Sequence, residues 1–380
     1  MIYFKSDNII TSLGTTTNQN FENIFDGKIG ISEVSDRSIY HEPFQASIID
    51  SEFFETYFPQ INSRKKVYTR LEKMMISSVH DALSLTDIDI SSPRTGIIVS
   101  TTKGNIDILE ERNSEMYKDD RVSLWRLGEV IAGYFGNPNT PMVISNACIS
   151  GVLAINTAVM LIEQGKYDDI VIVGGDIVSR FVVSGFMSFL SLSPEPCKPF
   201  DKSRDGLSLG EAAATIIVGN NDKNSTLVHA GGGSANDANH ISGPSRTGEG
   251  SYWAIKRALI ESGIDTSKID HISAHGTATP YNDEMESIAM DRHGLSAVPV
   301  NSMKGYIGHT LGAAGLVETA LLLEEMRRGV ILKSAGYSEH GVSKDIFVAR
   351  ENTSANLKTC LKMASGFGGS NAALLIRSND

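Results

Sequence analysis

Val143-Ile144-Ser145-Asn146-Ala147-Cys148-Ile149-Ser150-Gly151 is an apolar run that ends in small and polar residues and passes directly into a second apolar stretch, Val152-Leu153-Ala154-Ile155 through Leu161-Ile162. The first run has the length of a strand and the second that of a helix, with Gly165 placed to close the helix on a left-handed residue. A strand that feeds a helix through a tight turn is half of a βα unit. The helix is apolar almost all round, so it is expected inside the protein. Cys148 then sits at a helix N-terminus, where the macrodipole and free N–H groups stabilise negative charge. A thiol in that position is expected to have a depressed pKa and to serve as a nucleophile. Read alone, the segment also fits a buried structural cysteine, although Ala147, Ser150 and Gly151 leave room for a substrate beside the sulfur.

The alternation continues on both sides. Short apolar runs predict strands at 96–100, 142–145, 169–174, 213–218, 271–274 and 372–376, and longer patterns predict helices at 69–83, 149–164, 252–262, 284–291 and 313–328. This predicts an α/β fold whose sheets are covered on both faces. At 380 residues the chain exceeds the size at which one core usually stops growing, so two packed halves are expected. The polar stretch Asn220-Asn221-Asp222-Lys223-Asn224-Ser225 divides them, giving an N-terminal half at 1–222 with the cysteine and a C-terminal half at 223–380.

The charge balance, 34 Lys+Arg against 45 Asp+Glu, argues against nucleic acid as a general partner. Within this acidic chain, Arg64-Lys65-Lys66 forms a local basic patch, either a solvated helix face or a landing site for an acidic partner. The three cysteines, 148, 197 and 360, are widely spaced and lack a CxxC pair, which fits free thiols in a reducing compartment. No signal-peptide core and no membrane-length apolar run occur, so a cytoplasmic enzyme is expected.

Two histidines stand in loops of unusual composition. His275-Gly276-Thr277-Ala278-Thr279-Pro280 follows the strand at 271–274, and Lys304-Gly305-Tyr306-Ile307-Gly308-His309-Thr310-Leu311-Gly312 leads into the apolar helix that carries Glu318. In each, a strand is expected to deliver the histidine to a turn whose glycines permit close approach. Nearby helix N-termini would keep both imidazoles neutral, fit to donate a hydrogen bond to a developing oxyanion. No HExxH, His-x-His or Cys/His ligand spacing occurs, so no catalytic metal is expected.

Taken together, Asn146-Ala147-Cys148 with Ser150-Gly151, the His275 loop, Lys304 with Gly308-His309, and Gly366-Phe367-Gly368-Gly369-Ser370-Asn371 resemble the β-ketoacyl synthases of the elongating Cys-His-His type. Phe200-Asp201-Lys202-Ser203-Arg204-Asp205-Gly206, Leu209-Gly210-Glu211 and Asp237-Ala238-Asn239-His240 match the same family in order along the chain. The resemblance implies a thiolase-like, five-layered α-β-α-β-α fold of two duplicated halves. It implies that Cys148 takes an acyl group from a carrier thioester and that the acyl-enzyme condenses with malonyl-acyl carrier protein to give a 3-oxoacyl product. On that reading His275 and His309 bind the malonyl thioester oxygen, Lys304 tunes the charge around His309, and Glu318 belongs to the supporting network. The N–H groups of Cys148 and Phe367 form the oxyanion hole, Phe367 gates the pocket, and Thr277 and Thr279 bind the phosphopantetheine arm. Arg64, Lys65 and Lys66, with Lys202 and Arg204, become a docking surface for an acidic carrier. No cofactor is implied beyond that arm. The family usually forms homodimers; a heterodimer with a second synthase-like subunit is the other possibility.

The chain departs from the family pattern in places. It is short, Ser365 stands where an aromatic residue is usual, and Asn146 stands where Thr is common. Leu109 lies in a segment resembling the part of the family that reaches the acyl pocket across a dimer. A specialised polyene or polyketide pathway therefore competes with housekeeping fatty-acid elongation. Three other functions compete with condensation. A non-catalytic, chain-length-factor-like partner would lack the cysteine that is present here. A thiolase-type acyltransferase would need a second catalytic cysteine, for which Cys360 in a strand-like context is the sole candidate. A cysteine hydrolase leaves the second histidine loop unexplained. His271 is expected to pack at a strand start, and Cys197 to lie in an irregular loop without a chemical role.

Overall fold

The apolar runs become strands of one continuous sheet. The computed structural model describes residues 1–62, 64, 66–110, 117, 119–221, 225–237, 243 and 245–379. Its principal strands are β1 (Ile2–Ile10), β2 (Thr95–Ser100), β3 (Met142–Ile144), β4 (Asp169–Asp176), β5 (Ala212–Gly219), β6 (Leu227–Asn236), β7 (His271–Ser273), β8 (Val300–Asn301), β9 (Thr359–Gly366) and β10 (Ser370–Ser378). Their spatial order is β8-β7-β9-β10-β6-β1-β5-β4-β2-β3. Divided in space between β1 and β6, this order reads 1-5-4-2-3 outward from the middle in the first set and 6-10-9-7-8 in the second, the same permutation twice. Strand directions repeat as well. β1/β5 and β5/β4 are antiparallel while β4/β2 and β2/β3 are parallel. In the second set β6/β10 and β10/β9 are antiparallel while β9/β7 and β7/β8 are parallel. The two sets join where Ile2 pairs with His229 and Tyr3 with Val228. The half boundary expected at 222/223 falls on residues 222–224, outside the described residues.

Side-chain alternation shows how the layers stack. Along β4, Ile170 and Ile172 enter one core while Val171 and Val173 enter another. Along β10, Ala372, Leu374 and Ile376 share the first of these cores, and Ala373 and Leu375 face a third. Because successive strand residues point to opposite faces, both strand sets are covered on both sides, as the uninterrupted apolar runs require. The shared core lies between them and holds the helices α4 (Ser150–Glu163) and α9 (Ala314–Arg328). On the outside, α2 (Arg70–Leu83) and α3 (Leu124–Phe135) cover the first set, and α6 (Glu249–Ser262) and α7 (Pro280–Arg292) cover the second. The remaining helices used below are α1 (Thr17–Phe25), α5 (Arg180–Ser188) and the single turn α8 (Lys304–Ile307). This is the five-layered arrangement of the thiolase fold.

The two central helices meet at a pair of glycines. A Cβ on Gly151 would lie 2.7 Å from Leu316 N, and one on Gly315 would lie 2.5 Å from Val152 N. Only bare backbone allows this approach. It draws the N-termini of α4 and α9 together, and with them Cys148 and the His309 loop. Among the described residues no helix is long and apolar enough to cross a membrane.

Candidate active site

Cys148 stands at a sharp turn between β3 and α4. Ala147 adopts a left-handed φ of 44°, a strained conformation for a residue with a Cβ. Ser150 holds the turn from within: its Oγ accepts from Asn146 N at 2.8 Å and donates to Ala147 O at 2.6 Å. The helix cap is Ile149, so Cys148 lies just ahead of the first turn, as expected. The thiol does not have the depressed pKa expected from that position. Burial pushes it up to about 11, ahead of the opposing pull of Lys304 and Lys103, the upward push of Asp176 and the lowering by the Phe367 N–H. Desolvation of a thiolate at a buried position outweighs the favourable end of a helix. In the resting enzyme Cys148 is therefore a protonated thiol at neutral pH. Its alkylation by chloroacetamide should accelerate about tenfold per pH unit from pH 7 to 9, as the thiolate fraction requires. A plateau reached below pH 8, measured by intact mass against time, would show that the helix end dominates.

His275 follows β7 directly, and its loop is pinned from α7. Glu286 accepts from His275 N at 2.7 Å and from Gly276 N at 2.6 Å, and Asp283 accepts from Thr277 N at 3.0 Å and Ala278 N at 3.2 Å. Burial, with Asp283 adding to it, raises the Glu286 carboxyl to about 7. His309 is delivered differently from expectation. The turn α8 stands between β8 and the histidine, and the backbone is fixed instead by His309 N donating to Ser208 O at 2.7 Å and Gly210 N donating to His309 O at 3.0 Å.

These elements bring Cys148 Sγ and a ring nitrogen of each histidine within 4.8 Å of one another. The two imidazoles stand edge to face, 5.1 Å between centroids. Both are held neutral, with pKa values well below that of free histidine. The first cause is burial, followed by Lys304, His309 and Lys362 for His275, and by Lys304 and Lys362 for His309. Neutral rings were expected, but burial and lysines impose them rather than helix dipoles. Lys304 makes its direct contact with His275, and its charge acts on both histidines. Its Nζ lies 3.2 Å from His275 Nδ1 and donates to His275 O at 2.5 Å, while also bonding Glu318 Oε1. An ammonium facing Nδ1 leaves that nitrogen as acceptor, which places the proton on Nε2. Both His309 ring nitrogens are buried without a hydrogen bond among the described residues.

A cavity of about 450 Å³ opens onto the trio and is lined by Cys148, His275, His309, Phe367, Thr277 and Thr279. Thr277 Oγ1 and Thr279 Oγ1 are hydrogen-bonded to each other at 2.8 Å. Phe367 stacks on Phe186 at 5.7 Å and meets Phe189 edge-on at 5.3 Å, and Gly368 beside it has φ 79°. Ser365, also on the wall, donates to Asn371 Oδ1 at 2.8 Å.

The basic residues are not gathered in one place by direct contact. Arg64 lies 4.5 Å from the Tyr134 ring centroid on α3 and donates to Tyr134 O at 2.5 Å. Lys202 is ion-paired with Glu339 at 2.6 Å. Arg204 donates to Asp201 O at 3.1 Å, to Gly341 O, and to Pro280 O at 3.3 Å at the cavity wall. Lys66 lies near Tyr68, and Lys65 and His240 lie outside the described residues. His271 is buried with Nδ1 2.9 Å from Pro299 O, Cys360 is in the core, and Cys197 donates to Lys304 O at 3.2 Å.

Three buried charges escaped the reading of the sequence. Lys362 on β9 lies 2.7 Å from Glu318 Oε2. Glu286 holds the His275 loop, and Asp176 ties Thr102 N at 2.9 Å to Gly312 N at 2.7 Å across the two halves. A lone lysine inside the apolar run Thr359–Gly366 was the available signal for the first, and acids spaced three apart after a histidine loop for the second.

Comparison with known proteins agrees with this chemistry. The β-ketoacyl synthase N-terminal domain profile matches residues 7–224 and the C-terminal domain profile matches residues 227–338. A 3-oxoacyl-[acyl-carrier-protein] synthase 2 of Coxiella burnetii is 26% identical over 401 residues, covering 97% of this chain and 96% of that one. A second such synthase, from Rhizobium meliloti, is 33% identical over 268 residues, 63% of this chain and 61% of that one. Among solved structures, a ketosynthase in complex with its chain length factor from Xenorhabdus doucetiae superposes with a TM-score of 0.88 at 24% identity, covering 99% of this chain and 98% of that one. The chain therefore belongs to the β-ketoacyl synthase family, thiolase-fold acyltransferases that form 3-oxoacyl-[acyl-carrier-protein] by condensation in fatty-acid or polyketide biosynthesis, and its Cys148, His275 and His309 make it one of the Cys-His-His type.

Proposed function

We propose the following division of labour for the condensation. Cys148 Sγ attacks the thioester carbonyl of an acyl carrier, the carrier thiol leaves, and the acyl group remains on sulfur. Malonyl carrier then enters with its thioester oxygen between His275 and His309. Loss of CO2 leaves an enolate on that oxygen, stabilised by two neutral N–H donors that cannot quench it by full proton transfer. The enolate carbon attacks the Cys148 thioester carbonyl and forms the new carbon–carbon bond, the oxyanion accepts from the N–H groups of Cys148 and Phe367, and its collapse breaks the bond to sulfur, leaving the Cys148 thiolate and the 3-oxoacyl carrier as product. The observation that carries this reading is the convergence of one thiol and two neutral, buried imidazoles at the end of a cavity. Thr277 and Thr279 are placed on its wall to bind the phosphopantetheine arm. No cofactor beyond that arm takes part.

The partner that brings the arm is an acyl carrier protein. Arg64, Lys66, Lys202 and Arg204 are its proposed contacts, with Arg204 nearest the cavity through Pro280. The second partner is another copy of the chain. The edge strand β3 exposes Met142, Ser145 and Asn146 are exposed next to Cys148, and Leu109 is 66% exposed. An open strand edge beside the nucleophile is a surface that pairing would cover. The solved ketosynthase in complex with its chain length factor favours a heterodimer as the alternative.

One experiment tests both parts. After incubation with acyl carrier, denatured intact mass should show one acyl group per chain, absent in Cys148→Ala, and added malonyl carrier should discharge it. Native mass should show a dimer, and added salt should slow acylation. No acyl adduct from any chain length would overturn the role of Cys148, and a monomer would point to a different subunit as partner.

A further inference from the structure

Lys362 sits in the middle of β9, paired in register with Ser273 on β7 and Leu374 on β10. Cys360 and Ala364, on the same face, pack into the central core, so Lys362 points at the central helices. A fully buried ammonium there requires compensation, and the surroundings supply oxygen alone. Nζ lies 2.7 Å from Glu318 Oε2, 2.8 Å from Met363 O, 3.0 Å from Ala274 O and 3.2 Å from Ser273 O. Four oxygens surround a group with three protons. Shells made only of carbonyl and carboxylate oxygens are the way hard metal cations are held.

The connections form a closed circuit. Ser273 and Ala274 immediately precede His275. His275 Nδ1 and O bind Lys304, Lys304 binds Glu318, and Glu318 returns to Lys362. We propose that Lys362 is a positioning residue that acts as a tethered cation. Its ammonium fills an oxygen cage from within the chain, so the His275–Lys304–Glu318 group stays in place without a free monovalent ion. This rests on the proposed role of His275 in condensation.

The test begins with the wild type, dialysed into buffer whose cation is N-methylglucamine. Its condensation rate should match that in potassium. Lys362→Met removes the charge but keeps the bulk, and condensation should fall about 100-fold by misplacement of His275, with Cys148 acylation much less affected. Lys362→Ala leaves the cage open, and potassium, ammonium or methylammonium should restore about tenfold, with tetramethylammonium inactive. The pH profile gives a readout that simple loss of packing would not move. Lys304, Glu318, Glu286 and the two histidines face this ammonium, and both histidines are held neutral partly by it. Removing it should shift the acid limb of condensation to higher pH. The proposal is overturned by a wild type that needs potassium, by a Lys362→Met enzyme with the wild-type rate and profile, or by rescue that tetramethylammonium matches. If the variants do not fold, the wild-type cation series decides alone. If the wild type condenses no acyl carrier, the proposed function fails separately, and the cation-specific rise in Tm of Lys362→Ala still tests the cage.

Discussion

His275→Ala and His309→Ala are expected to load Cys148 normally yet lose condensation by about 10²- to 10³-fold each, the usual cost of one oxyanion donor. Acyl-enzyme should accumulate and persist after malonyl carrier is added, visible as an undischarged mass. Two features of the site separate the half-reactions. Both imidazoles have pKa values far below 6.5, so neither is basic enough to drive proton removal from a thiol raised to about 11. A ring nitrogen of each lies within 4.8 Å of the other, which lets one ligand oxygen bridge the two. The losses should therefore combine less than multiplicatively in the double variant, since the two donors serve one oxygen. Replacement by Asn, which keeps an N–H donor, should recover part of the rate. The pH dependence follows in sign. A histidine with a pKa held well below 6.5 stays neutral as pH falls through 6.5, so the rate from preloaded enzyme should hold level through that point and fail only at distinctly lower pH. If either alanine variant also fails to acquire the acyl group, that histidine is a base for Cys148 and the separation proposed here is wrong.

Much of the fold was legible because its strands are buried on both faces. The strands Asp169–Asp176 and Ala212–Gly219 are apolar but for the terminal aspartates of the first and Thr215 in the second, and their expected bounds fell within one or two residues of the observed ends. The Cys148 turn was legible because strand, small residues and apolar helix follow one another without interruption. Much less could be read where the signal is three-dimensional. Leu227–Asn236 holds three consecutive glycines and looks like a loop, yet it is a central strand because α6 packs directly on it: a Cβ on Gly233 would lie 2.1 Å from Ala254 O. The repeated strand order has no counterpart in sequence identity between the halves, since topology constrains which positions are apolar and not which apolar residue fills them. The thiol pKa was misjudged for a related reason. A helix end is visible in sequence, whereas the burial of Cys148 depends on chain segments far from it, such as Gly366, 218 positions away, where a Cβ would lie 3.0 Å from Cys148 N. The resemblance gave Lys304 a charge effect on His309; that the turn α8 also brings its ammonium against His275 could be read only in three dimensions.

Glu318→Ala should be the most destabilising single change in the site, at about 3–5 kcal/mol. Glu318 is buried and its two oxygens divide between two lysines, Lys304 on α8 and Lys362 on β9. Truncation would leave two buried ammonium groups with only carbonyl oxygens and His275 Nδ1 as partners, and the large term is the desolvation of the orphaned charges rather than the loss of attraction. A fall in Tm by differential scanning calorimetry, larger than that of Cys148→Ala measured alongside, is the expected result. The pairing also predicts non-additivity. Adding Lys362→Met to Glu318→Ala removes one of the two unpaired cations, so the double variant should melt above the sum of the single effects, and possession of a positive coupling distinguishes a charge network from ordinary packing. Glu318→Gln should fall between, because its carbonyl can still accept from one lysine while its amide faces the other as a second donor. Full stability in Glu318→Ala would mean that one lysine deprotonates or that water enters the core, and the circuit around His275 would then not depend on this carboxylate.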